Sequence, residues 1–365
     1  MKTPIHKRYK LTFCTPQEAL SRLQLNKKAF CLFESTEVLE NSGRFSLLAI
    51  EPSLQLIGGA YQAEIKSLND RGETHFNRFL KSGFPFEQKD GNVYKVRFTP
   101  SQEDIEENDR IYRPCAAQLL RPFLDESKAF KDSLTGLYGA FAYSFVYPFE
   151  EISSLKENQS PDFNVFFCDT VLMFDQELRQ LEISIQRDSE EECEQVKAFI
   201  ESQLTEEKKL DRSGFEVGDV HVSPSDESFV DQVAEAKELF KKGELMELVL
   251  SRKIEAKFQG NPLALYEQYK SINPSPYQFF IQFSEEEQLL GCSPEIMVRV
   301  IQDRVHLKPI SGTKPRGKDA IEDHYLMKEL LNSEKEKAEL DMLIDLGRND
   351  LSKTCEPGIS IDAYR

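Results

Sequence analysis

The chain has 365 residues, 39% of them hydrophobic, and a formal net charge of -17. That length suggests about two domains, and the acidity argues against a bulk nucleic-acid binder, which would be basic. An anionic substrate would need a site that builds its own positive potential or uses a metal. The seven cysteines (Cys14, Cys31, Cys115, Cys168, Cys193, Cys292, Cys355) are scattered and form no CxxC pair. This pattern argues against a disulfide framework or zinc site and fits a reducing cytosol. No run approaches the roughly 18 apolar residues of a membrane span, and no signal-type apolar segment follows the basic start. The expectation is a cytoplasmic protein with no membrane or nucleic-acid partner.

In chain order, "FCLFES" (30–35) and "RFSLLAI" (44–50) are apolar runs bounded by polar turns, and "NVYKVRF" (92–98) alternates as a half-buried strand does. "GLYGAFAYSFVY" (136–147) and "FNVFFCDTVLMF" (163–174) read as buried strands, and "QLEISIQ" (180–186) as an alternating one. A helix is predicted over 189–204. The charged, glycine- and proline-punctuated stretch 205–228 reads as a linker region. Ser225 or Asp226 then caps a helix with Phe229, Val233, Ala236 and Phe240 on one stripe, ended by Gly243. Strands are predicted at 245–254, 277–283, 296–301 and 304–310, and a helix at 262–272. A long helical region from about Glu322 to Leu346 is interrupted near Asn332, where Ser333 and Glu336 form a capping-box pattern. The strand-like "ISID" near the end looks like an element cut off mid-fold.

One loop carries chemistry: "HLKPISGTKPRG" (306–317). With Lys318 it nearly spells the nucleotide motif GxxxxGK[ST]. Asp319 stands where the magnesium-binding hydroxyl belongs, and Pro315 lacks the N–H that a phosphate nest needs. A carboxylate cradle fits better. Gly312 permits close backbone approach, Thr313 offers a hydroxyl, and Lys308, Lys314 and Arg316 add positive potential. Taken alone, the loop reads first as a basic turn between strand and helix.

The surrounding segments shift that balance. "INPSPYQFF" (272–280), "GCSPEIMVRV" (291–300), "KPISGTKPRG" (308–317) and "EKEKAELDMLIDLGRNDL" (334–351) occur together in this order. They resemble the chorismate-utilising enzymes, in particular the large-subunit (component I) branch of anthranilate synthase. "LFESTEVLENSGRFSLLAIEP" (32–52) resembles that branch's LLES segment, so the likeness runs along essentially the whole chain. It implies an α+β fold of two β-sheets packed face to face with flanking helices. It implies a regulatory domain over 1–204, a linker over 205–224 and the first half of a chorismate-binding domain over 225–365.

The resemblance also implies a function: the lyase step of tryptophan biosynthesis that converts chorismate and ammonia to anthranilate and pyruvate. Ammonia would come from a glutamine amidotransferase subunit. Gly312 and Thr313 match chorismate-contacting positions, and Glu339 matches a Mg2+ ligand, with Glu336 one turn earlier as its support. Without the resemblance these glutamates read as a solvated face beside Lys335 and Lys337. Ser35, Pro276, Tyr277 and Gln278 match the pocket for tryptophan, the feedback inhibitor. Gln278 replaces a usual methionine, so altered tryptophan sensitivity is expected.

Two positions separate branches of the family. Ser311 stands where aminodeoxychorismate synthases carry a nucleophilic lysine, and Glu247 where isochorismate synthases carry a lysine base. Neither residue can do that lysine's chemistry. Glu247 and Leu340 also depart from the usual Gln and His of the anthranilate branch. The other readings are those sister branches and a catalytically dead tryptophan-binding or subunit-docking remnant. The family's domain extends well past Arg365, and its general-acid histidine, a substrate arginine and a second Mg2+-binding glutamate have no match here. The expectations are therefore a fold missing its C-terminal strands and helices, exposed apolar surface, and no activity from this chain alone.

Overall fold

The apolar run 163–174 is not one strand but two, split at Asp169, in the computed structural model of the chain. Residues 4–35, 44–81, 83–100, 106–127, 133–150, 160–206, 208 and 213–362 are described. In chain order they form β1 Ile5–Leu11, α1 Pro16–Arg22, β2 Phe30–Glu34, β3 Phe45–Ile50, β4 Leu54–Gly58, β5 Gln62–Ser67, α2 Asp70–Phe79, β6 Glu87–Asp90 and β7 Val93–Arg97. Next come α3 Arg121–Ser127, β8 Gly136–Phe141, β9 Phe163–Cys168, β10 Thr170–Asp175, β11 Gln180–Arg187 and α4 Glu190–Thr205. Then follow β12 Phe215–Ser223, α5 Asp226–Lys241, β13 Lys253–Gly260, α6 Pro262–Ile272, β14 Tyr277–Gln282 and β15 Gln288–Ser293. The last are β16 Arg299–Ile301, β17 Arg304–His306, α7 Ala320–Asn332 and α8 Glu334–Thr354.

Two antiparallel sheets dominate. One has seven strands in the order β1-β11-β10-β3-β2-β14-β15, the other six in the order β6-β7-β5-β4-β9-β8. Strand β9 shows why they stack. Every residue of "FNVFFC" is buried, which requires cover on both faces of the strand. Phe163, Val165 and Phe167 point into one cluster with Leu56, Ile65, Phe76 and Phe123. Phe166 and Cys168, on the opposite face, join Cys31, Ala49, Val171 and Ile281 of the seven-stranded sheet. Helix α2 covers the other face of the six-stranded sheet against β4 and β5, and α4 lies on β1 and β11. This is the expected two-sheet α+β architecture.

Asp169 is the single residue between β9, in one sheet, and β10, in the other. It is 0% exposed. Strands that pass between packed sheets need a bend, and a buried charge at such a bend needs partners. Arg71 and His75 of α2 and Arg187 at the end of β11 each lie 3.1 Å from its carboxylate. Burial pushes this carboxyl's pKa up, but the His75 hydrogen bond and the charges of Arg187 and Arg71 outweigh it, leaving it below the usual aspartate value. Sequence patterning gave no sign of this cluster, because Asp169 interrupts an otherwise apolar run.

The compact units fall at Met1–Lys209 with Asn273–Arg365, and at Leu210–Ile272. Strands β14 and β15 thus belong to the same sheet as β2, despite the long separation in sequence. In the 210–272 unit, β12 and β13 form a two-stranded ribbon with α6 against β12. Ser225 caps α5 by accepting from the Ser228 N–H, and Arg252 bridges to Asp226 at 2.6 Å.

Several expectations change. The stretch 205–228 contains the nine-residue strand β12, because Phe215, Val217, Val220 and Val222 pair along β13 around a bulge. Residues 207 and 209–212 of that stretch, and 36–43 of the segment after β2, lie outside the described residues. No strand forms over 245–252; the ladder with β12 ends at Ser223 opposite Lys253, so the earlier apolar residues have no partner strand. The run after β8 closes as a short 3-10 turn, Tyr143–Val146, instead of continuing the strand. The "ISID" segment (359–362) is not a strand, and no described strand lies beside it to supply a ladder. The helix break at Ser333 is as expected, with its hydroxyl accepting from the Glu336 N–H. Neither α7 nor α8 has a buried residue, and Ile321, Tyr325, Met327, Leu331 and Leu346 are exposed.

Replacing Asp169 by Asn leaves the buried Arg187 guanidinium, and the partly exposed Arg71, without their anion, and should cost about 3 kcal/mol or more. The measurement is the urea midpoint followed by circular dichroism. Because the folded carboxyl is lowered from an unfolded value of about 3.9, its contribution is present above that pH and is lost as pH falls through the folded value. Wild-type stability should therefore fall on acidification below about pH 4, with a shallower fall in Asp169→Asn.

Candidate functional site

The loop singled out in the sequence runs from the end of β17 to the start of α7 and passes over the first turns of α8. Asp319 caps α7, its carboxylate accepting from the N–H groups of Ile321 and Glu322 at 3.0 and 2.9 Å. That occupies the helix N-terminus which a nucleotide phosphate would need, so the near-match to a nucleotide motif is a helix cap.

Gly312 has φ +72, in the left-handed region. The reason is visible on α8: a Cβ here would lie 2.7 Å from Glu336 Oε2 and 3.2 Å from Glu336 Cβ. The chain can approach the helix this closely only without a side chain. Ser311 then donates its hydroxyl to Glu339 Oε1 at 2.8 Å. Glu336 and Glu339 are three residues apart and share one face of α8. Their other oxygens meet Lys335, whose Nζ lies 3.1 Å from Glu336 Oε1 and 3.6 Å from Glu339 Oε2.

Ile310, Ser311, Gly312, Thr313, Lys335, Glu336 and Glu339 together line an open cleft of about 410 Å³. The structure therefore brings Gly312, Thr313, Glu336 and Glu339 to one place. The three loop cations expected to raise its potential do not line it. Lys314 bridges to Glu329 at 2.8 Å, and Arg316 grips Asp323 through two bonds of 2.8 and 2.7 Å. Both partners are carboxylates of α7, and the Arg316 hydrogen bond holds the Asp323 carboxyl below its usual value. Lys308 is exposed elsewhere on the loop. The cleft's one lining cation is Lys335, which the sequence presented as part of a solvated face. Its spacing of four from Glu339 was the available signal.

The second predicted set gathers at another place. Strands β2 and β14 pair antiparallel, with Gln278 opposite Glu34. Ser35 follows Glu34 directly, so it sits one step along from that pair, toward Tyr277. Gln278 is 1% exposed, within the sheet. None of Ser35, Pro276, Tyr277 and Gln278 lines the cleft. Glu247 is exposed in an irregular segment of the 210–272 unit.

Fold and site define an α+β protein with an open cleft, built by a glycine loop seated on a carboxylate-bearing helix. Residues 78–362 match the model of the chorismate binding enzyme family. The chain belongs to that family. Component 1 of anthranilate synthase from Aquifex aeolicus is 29% identical over 360 residues, spanning 94% of this chain and 66% of that protein. Its counterpart from Vibrio parahaemolyticus is 30% identical over 354 residues, or 91% of this chain and 64% of that one. The chain thus spans just under two thirds of the length of these curated relatives. Among solved structures, anthranilate synthase component I from Streptococcus pneumoniae superposes with a TM-score of 0.61 at 23% identity, covering 90% of this chain and 69% of that chain. The menaquinone-specific isochorismate synthase from Escherichia coli gives 0.60 at 13% identity, covering 96% and 64%. At these identities the two structures speak for the fold alone.

Substituting Gly312 by Ala should cost about 1–2 kcal/mol from the left-handed backbone alone, with a further cost from displacing Glu336. Gly136→Ala is the control, since an added methyl there meets nothing within 4 Å, and should change stability by less than about 0.5 kcal/mol. Urea titration of both variants checks the difference.

Proposed function

We propose that this chain is the chorismate-binding component of an anthranilate synthase, a lyase of tryptophan biosynthesis acting in the cytoplasm. The single observation that carries the reading is the seating of Ser311–Gly312–Thr313 on Glu336 and Glu339. Chorismate is a dianion. The backbone at Gly312 and the hydroxyl of Thr313 are suited to receive one of its carboxylates.

The donor chemistry fits a hard divalent cation. Two carboxylates on adjacent turns converge on a cleft, and a lysine ammonium already lies between them as a stand-in cation. No cluster of three or more His, Cys, Asp or Glu side chains occurs among the described residues. A pair of carboxylates suits Mg2+, which commonly keeps several waters and shares its coordination with substrate. Glu339 is the proposed ligand, Glu336 its support, and Ser311 the residue that positions Glu339. When bound, Mg2+ supplies charge that clamps a substrate carboxylate and polarises the ring. Ser311 is too short for the covalent adduct a lysine forms, which favours the anthranilate branch over the aminodeoxychorismate one. Ammonia would come from a glutamine amidotransferase partner.

Tryptophan is the proposed effector, at Ser35 with Pro276, Tyr277 and Gln278; their adjacency across β2 and β14 supports this. The proposed functional division is 1–204 regulatory and 225–365 chorismate-binding, joined by 205–224 although that segment contains β12, with β14 and β15 serving the regulatory sheet. One observation favours a second reading, a tryptophan-binding protein without turnover: no histidine lines the cleft to act as an acid.

Calorimetry separates these readings. Mg2+-dependent chorismate binding, reduced at least tenfold by Glu339→Gln, is the expected result. Tryptophan binding without any chorismate binding would favour the second reading. With ammonia and Mg2+, the purified chain is expected to bind chorismate but release no anthranilate, because no histidine lines the cleft to protonate the leaving hydroxyl. Fluorescence detection of anthranilate tests this.

A further inference from the structure

Lys335 enters the function proposed above only as a stand-in cation, yet it lines the cleft beside both carboxylates. Its side chain is 77% exposed, so nothing forces it inward. On an α-helix, side chains at i and i+4 are neighbours, whereas those at i and i+1 point about 100° apart. A contact from Lys335 to Glu339 is therefore ordinary. The 3.1 Å contact to Glu336 is not, because the lysine must curl across the helix face to make it. The ammonium then lies over the face that the two carboxylates share.

The loop holds the remaining oxygens. Glu339 gives Oε1 to Ser311 and Oε2 to Lys335. Glu336 has Oε2 against Gly312 and Oε1 on Lys335. Each carboxylate is thus shared between the loop on one side and one cation on the other.

We propose that Lys335 is a built-in counter-ion that holds the cation place between Glu336 and Glu339, and that a divalent cation binds by displacing its ammonium. The proposal rests on the reading of Glu339 as a cation ligand. Without a counter-ion, two carboxylates one turn apart repel each other, and Glu339 would turn away from Ser311. With Lys335 present the pair stays convergent and the loop stays seated. Displacement is easy because an exposed lysine pair contributes little, and because a divalent ion attracts the same carboxylates with twice the charge.

The test is Mn2+ binding to the full chain, read by the loss of the free-ion electron paramagnetic resonance signal at fixed ionic strength. Lys335→Gln should bind Mn2+ roughly tenfold more tightly than wild type, since one opposing unit charge is gone from contact range. Lys335→Arg, which keeps a cation in place, should stay at or below wild-type affinity. Lys337→Gln removes the same charge from a helix position that does not line the cleft, and should gain less than about threefold. Equal affinity in Lys335→Gln and wild type overturns the proposal. So does an equal gain in Lys337→Gln, which would assign the effect to net charge. Mn2+ binding that survives Glu339→Gln, or is absent from every variant, overturns the cation-site reading itself and this inference with it.

Discussion

The buried charge of Asp169 is the constraint on which the two-sheet core depends. It stands alone between β9 and β10, where the chain leaves one sheet for the other. Its three partners come from two elements: α2 supplies Arg71 and His75, and β11 supplies Arg187. A carboxylate this deeply enclosed is tolerable only when all of them are present. The cluster therefore ties a helix of one layer to a strand of the other at the corner they share. The apolar packing of β9 on both faces depends on that corner, since a shift of one residue would turn Phe166 and Cys168 away from the seven-stranded sheet.

The cleft is built on the opposite principle. It has little apolar burial, and α7 and α8 carry no buried residue. Its shape comes from polar contacts. Asp319 caps α7, Ser333 caps α8, Arg316 grips Asp323, and Ser311 reaches Glu339. Gly312 lets the loop lie directly on Glu336. Carboxylates outnumber cations in the lining, so the balance of charge there rests on Lys335.

Much of the fold was legible in local pattern. The runs at 30–35, 44–50 and 180–186 became β2, β3 and β11, and the caps at Ser225 and Ser333 start α5 and α8. Such features depend on nearest neighbours along the chain. The errors came where a distant partner decides. The stretch 205–228 looked like a linker until β13 paired with its valines, and 245–252 looked like a strand but has no ladder to join. The 163–174 run looked continuous because a single Asp is weak evidence of a break in an apolar sequence.

The sequence by itself determined the family and many of the elements, and it pointed to the loop and α8 as the place to look for a site. Gly312 and Thr313 could be picked out from the loop's residue types, whereas Glu336 and Glu339 were named only through the resemblance to the family. Only the tertiary structure decided which charges meet. It sent Lys314 and Arg316 to α7, brought Lys335 into the cleft and surrounded Asp169 with cations. Charges act through space and fall off over a few ångströms of contact. Their pairing is therefore set by where the backbone places them in three dimensions, which local sequence pattern does not specify.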